Sequence, residues 1–254
     1  MHRYLIAATF ILTSFFTGPA FAAEVVINQL YGGGGNTGAP YRNDFIELYN
    51  NGSSAKDLSV WSVQYASATG SSWSKIDLAG SIAAHGFYLV KAASGGAVGV
   101  DVPTADATGG INMSATTGKL ALVNSTALLT GTTPFSGSTV EDAVGYGTTA
   151  SNWEGSGRAP SPSNTTALVR QIVGLDHNEN QVDFIARKPF PHNSVVTGVL
   201  SGSATTVPTS AYPATNVTFT VTVEPVLEPP STGISVTANL SSIGGSTAQS
   251  MVGS

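Results

Sequence analysis

The residues best suited to do chemistry lie in Asp176-His177-Asn178-Glu179-Asn180, with Asp183 three positions further on. Asp176, Asn178, Asn180 and Asp183 offer oxygen-bearing side chains at short intervals, as does a loop that wraps a hard cation such as calcium. The full calcium-loop pattern asks for glycine at its sixth position and glutamate at its twelfth. This chain has Gln181 and Arg187 there. An Asx-rich turn accounts for the same residues without a metal, and is the favoured reading. These four residues are the metal candidates, and calcium is the only cofactor they suggest.

Other constellations are weaker. Gly33-x-Gly35-x-x-Gly38 spells the dinucleotide fingerprint, but that motif works through a helix whose N-terminus faces the pyrophosphate. Ala39-Pro40 follows and a strand pattern begins soon after, so the segment reads as a flexible contact loop. Ser72-Trp73-Ser74-Lys75 spells S-x-x-K, a motif that needs both ends on one helical turn. It falls between strand patterns, so chance explains it. His2, His85, His177 and His192 are scattered and read as surface residues. Arg158, Arg170, Arg187 and Lys188 cluster in sequence, and solvated charges are favoured over a phosphate-binding face. Trp73, Tyr146 and Trp153 read as core plugs before they read as a ligand platform. No catalytic or cofactor-binding residue is assigned, and the chain by itself is not expected to be an enzyme.

Composition limits which elements could hold these residues. The chain has 41% hydrophobic and 10% charged residues, with 29 Gly and 13 Pro. Such a balance suits short strands joined by tight turns. His2 and Arg3, the apolar run from Tyr4 to Phe16, and Ala20-Phe21-Ala22 have the order of a secretory leader. The run is shorter than the ~20 residues a spanning helix needs. Cleavage after Ala22 is expected, giving a signal peptide over residues 1–22 and a secreted, extracellular protein with no later transmembrane segment. With no cysteine, stability must come from a buried core, and thiol chemistry is excluded. The formal net charge of −5 gives no long-range attraction for polyphosphate.

Residues 23–194 read as one all-β unit. Strand patterns occur at Glu24 to Tyr31, Asp44 to Asn50, Leu58 to Tyr65, Phe87 to Lys91, Lys119 to Asn124, Val140 to Tyr146, Ala167 to Gln171 and Asp183-Phe184. Gly, Asn, Pro and Ser clusters separate them, as in a β-sandwich, and Trp61 is the natural core plug. No sustained helical periodicity is found. Residues 195–214 are rich in Ser, Thr, Gly and Pro and read as a linker. In residues 215–254, Val217 to Val223 and Ile234 to Leu240 alternate apolar with polar positions. Two strands cannot make a sandwich, so this tail is expected to be a partial immunoglobulin-like segment.

The larger unit resembles the lamin-tail domain family, in its bacterial secreted branch. The likeness rests on VVINQLYGGGGNTGA (Val25 to Ala39), NDFIELYN (Asn43 to Asn50) and DLSVWSVQYASATG (Asp57 to Gly70). GFYLV (Gly86 to Val90), DAVGYG (Asp142 to Gly147), APSPSNTTALVR (Ala159 to Arg170) and the closing VDF and PHNS follow in the same order. Val60 replaces the glycine usual before the tryptophan. The resemblance implies an immunoglobulin-like β-sandwich and a non-catalytic binding or positioning module. It also implies a place at the N-terminal part of a larger secreted protein such as an extracellular nuclease. Nucleic acid, polysaccharide or another protein at the cell surface are the partner classes. The rival readings are a cell-surface or matrix adhesion module, and a secreted hydrolase (nuclease or phosphodiesterase) with a site the motifs do not reveal.

Overall fold

The computed structural model describes residues 23–195 and, beyond them, the strand segments 201–207, 218–224, 237–238 and 249–250. The expected leader, and most of the residues assigned to linker and tail, lie outside the described residues. The strands, in chain order, are β1 (Val25–Tyr31), β2 (Phe45–Asn50), β3 (Lys56–Asp57), β4 (Ser62–Ala66), β5 (Ser74–Asp77), β6 (Ser81–Ile82) and β7 (Phe87–Lys91). They continue with β8 (Ala107–Thr108), β9 (Gly118–Val123), β10 (Val140–Tyr146), β11 (Ala167–Arg170) and β12 (Phe184–Arg187). One helical turn, α1 (Asn180–Asp183), precedes β12. A six-stranded sheet has the order β12-β11-β1-β2-β7-β8 and a four-stranded sheet the order β10-β9-β4-β5. All pairings in both are antiparallel except β7 with β8.

Alternation along the strands explains why the sheets pack face to face. On β2, Ile46 and Leu48 enter the central core, while Phe45 and Tyr49 join satellite clusters on the opposite face. On β9, Leu120 and Leu122 face the same core, while Ala121 and Val123 lie under an outer cluster with Trp73 and Phe135. Side chains of period two from both sheets thus fill one interior, the all-β immunoglobulin-like sandwich expected from the sequence.

On β1 a strict period of two would place Gln29 and Tyr31 beside Ile27 in the core. A register shift between Ile27 and Gln29 inserts Asn28, and Leu30 faces inward instead. This bulge is the kind that leaves a residue unpaired and re-aims the chain. It matters for the charged cluster described below.

Both outer faces are also covered. Over the six-stranded sheet, the Gln29 side chain donates to Phe190 O and accepts from Phe190 N. Glu47 accepts from His192 N and meets its imidazole at 3.0 Å. His192 also stacks on Phe87 at 4.6 Å, so this histidine holds down a strap and is not the surface residue expected. Over the four-stranded sheet, Lys119 Nζ donates to Gly70 O, Thr132 O and Ser151 Oγ at 2.7–3.0 Å. Such enclosed polar groups are tolerated because each has partners.

Several expectations change. β5 runs through Ser74 and Lys75, so the S-x-x-K stretch is partly strand, and Lys75 pairs with Asp77. The glycine loop is enclosed at its start and exposed at Thr37 and Gly38. Gly32 to Gly35 are buried, and a Cβ on Gly34 would lie 2.1 Å from the Asn43 carbonyl carbon. Gly35, at φ +74, occupies the left-handed region that favours glycine. Within the segment read as linker, Ser201–Val207 forms β13, antiparallel to β14 (Thr218–Glu224). Thr and Val supply strand propensity there even where large side chains are few. In the tail, β15 (Thr237–Ala238) pairs with β16 (Gln249–Ser250).

Asp44 joins the glycine loop to the core. Its oxygens accept from Gly34 N at 2.9 Å and Met113 N at 2.8 Å. Burial raises its pKa to about 7 despite those two donors, which pull it down. Between the ordinary carboxyl value and about 7, the folded chain holds a proton that the unfolded chain has lost, so this residue makes stability fall as pH rises through that window. Asp44→Asn should flatten the decline by at most about 1.4 kcal/mol per pH unit. Urea melts of both proteins from pH 4 to 8 check it; parallel profiles would refute it.

Candidate functional site

Ile27 has no partner on β11, whose pairing with β1 covers Gln29 and Leu30. Two charged side chains take the backbone groups instead. Asp142 Oδ2, from β10, accepts from Ile27 N at 2.6 Å, and Arg170 Nε, from the end of β11, donates to Ile27 O at 2.9 Å. Arg170 and Asp142 also pair directly at 2.8 Å, and both side chains are 0% exposed. This ion pair therefore ties the four-stranded sheet to the six-stranded one.

The guanidinium gathers more acid. Arg170 Nη1 donates to Leu175 O and to Asp176 Oδ1, and lies 3.4 Å from Asp183 Oδ2. Its flat face rests over the Phe184 ring at 4.7 Å. Burial opposes the charge on Arg170, but Asp142 and Asp176 outweigh it and raise its pKa. Burial raises the Asp142 carboxyl to about 6, with Arg170 holding it down against a larger rise. Burial also lifts Glu154, which sits beside this group, to about 9, with Asp142 and Asp176 adding to the rise.

The four metal candidates have different fates. Asp183 caps the turn: it accepts from His177 N and Glu179 N, and its other oxygen meets His177 Nδ1 at 2.5 Å. Asn180 is fully buried; its Oδ1 accepts from Gly145 N and Glu154 N, and its Nδ2 donates to Ala143 O and Glu154 Oε2. Asp176 Oδ1 accepts from Asn178 N and Arg170, while Asp176 Oδ2 has no hydrogen-bond partner. Asn178 is exposed at φ +55. The structure thus brings Asp176, Asn180 and Asp183 into one network and leaves Asn178 at its edge. The network is an Asx-type turn locked onto β10 and onto a buried arginine.

Arg170 is the residue that sequence reasoning misplaced, as a solvated charge. A signal existed. On β11 Leu168 faces the core, and on β10 Val144 and Tyr146 do, so period two places both Arg170 and Asp142 on inward faces. Of the other basic residues, Arg187 and Lys188 are exposed. Arg158 stacks on Trp153 at 4.1 Å and donates to Ala150 O. Trp73 and Tyr146 are buried core residues, as expected of plugs.

The two packed sheets form an immunoglobulin-like β-sandwich. The family model of the Lamin Tail Domain matches residues 19–185. The chain belongs to the lamin tail domain family, whose domain is a non-catalytic immunoglobulin-like unit. Comparison with curated proteins gives no match. Among the described residues no helix is long and apolar enough to cross a membrane.

Proposed function

We propose that this chain is a non-catalytic extracellular binding or positioning module, the N-terminal part of a larger secreted protein such as a nuclease. The observation that supports this reading most is the use to which the acidic cluster is put. Asp142, Asp176 and Asp183 surround a fully enclosed arginine and hold backbone groups in place. A general base needs hydrogen-bond reach to a substrate; Asp142, Asp176 and Asp183 are buried and turned inward. The leader-like residues 1–22 supply the argument for export.

Two measurements test the reading. Exported protein should begin at Ala23 on terminal sequencing, and an intact Met1 would remove the secretory part. The purified chain should leave DNA uncut with magnesium or calcium present. Cleavage that survives repurification would replace the module with the hydrolase reading.

A further inference from the structure

We propose that Asp142, Glu154 and Asp176 form an internal site for one hard divalent cation, calcium by its ligand chemistry. The three carboxylates come from β10, the segment after it and the turn before α1, and each offers an oxygen within 4.8 Å of the others. Acidic groups gather on many proteins without a metal; here two further oxygens set the cluster apart. Asp142 Oδ1 and Asp176 Oδ2 are buried without any hydrogen-bond partner, and their side chains are 0% and 1% exposed. Unsatisfied buried carboxylate oxygens are costly, and an unseen ion is one of the few ways to satisfy them.

The division of labour among the oxygens favours this placement. Arg170 and the Ile27 and Asn178 N–H groups occupy Asp142 Oδ2 and Asp176 Oδ1. That leaves the opposite oxygen of each carboxylate free for a second positive group. Among the described residues the acidic groups gathered here are Asp142, Glu154, Asp176 and Asp183, and Arg170 is paired with the three aspartates at once. A divalent cation would offset the excess that one arginine leaves.

All the donors are oxygens, with neither histidine nor cysteine among them, which disfavours zinc. Calcium accepts six to eight oxygens at roughly 2.3–2.6 Å and takes carboxylates one or two oxygens at a time, with water completing the shell. The site differs from the loop array Asp176/Asn178/Asn180/Asp183. Asn180 Oδ1 and both Asp183 oxygens are already engaged by N–H groups or the His177 ring, and Asp176 is the one residue the two sets share.

Calorimetric titration of calcium into the chelator-treated full chain, with thermal melts alongside, tests the proposal. One calcium per chain should bind, and the melting temperature should rise with calcium concentration. Glu154→Gln, at the less enclosed edge of the site, should weaken binding at least tenfold while folding without metal as the parent does. Asn178→Gly, which keeps the backbone angle and removes the loop ligand, should bind calcium as the parent does. Absence of binding up to about 10 mM, beyond the weak end of protein calcium sites, would overturn the proposal. Undiminished binding by Glu154→Gln would also overturn it, and lost binding by Asn178→Gly would move the metal to the loop.

Discussion

Arg170→Met should lower the stability of the sandwich by about 3–5 kcal/mol, the range for removing one partner of a buried ion pair. A domain typically has about 5–15 kcal/mol in total, so the variant should be close to unfolded at ordinary temperature. The cause is specific. Methionine fills much of the space over Phe184 but leaves Asp142 and Asp176 enclosed without their cation, and Ile27 O without its donor. Arg170→Lys keeps the charge but not the fork that reaches Ile27 O, Asp142 and Asp176 together, so it should fall between parent and methionine variant. Urea melts of the three proteins give the order. A loss below about 1 kcal/mol for Arg170→Met, the scale of surface changes, would show that the cluster contributes little.

Trp61→Ala should cost about 3–5 kcal/mol through lost burial and the cavity left behind. Trp61 lies just before β4, is 5% exposed, and belongs to the central cluster with Leu58, Leu78 and Ile82. Its backbone is fixed on both sides: Trp61 N donates to Leu58 O, and Leu78 N donates to Trp61 O. The surrounding chain therefore cannot easily collapse into the space. Denaturant melts read the loss directly, and a change under about 1 kcal/mol would place the ring outside the core.

Which features could be read in advance follows from where their physical cause lies. FIELYN of β2 and GKLALV of β9 are short runs bounded by turn residues, and both strands occur where the patterns at Asp44 to Asn50 and Lys119 to Asn124 place them. The two-residue strands β3, β6 and β8 carry no such signal, because two residues cannot display a period. Their pairing is decided by the neighbouring chain. The bulge at Asn28 is likewise invisible locally, since VVINQLY reads as an uninterrupted strand.

The charged cluster was half legible. Asp176 and Asp183 attract notice because oxygen donors lie close together in sequence. Their true partner, Arg170, is only a few residues away, yet the residues that make it buried are Asp142 and Ile27, which come from other strands. Composition suggested a solvated arginine, whereas strand parity put it on the same inward face as Leu168. A pair of opposite charges on inward positions of two strands is the pattern that would have revealed the contact. Lys119 is enclosed for a comparable reason: the separate segments carrying Gly70 and Thr132 close over β9.

The central claim is that the acidic residues around Arg170 serve to join the sheets. A double-mutant cycle of Asp142→Asn and Arg170→Met in urea denaturation tests it most directly. The residues touch, so the two losses should be strongly non-additive, with a coupling of about 2 kcal/mol or more and a double variant more stable than the single losses together would allow. Losses that add within about 0.5 kcal/mol, as for distant independent sites, would contradict the claim that this pair holds the sandwich together.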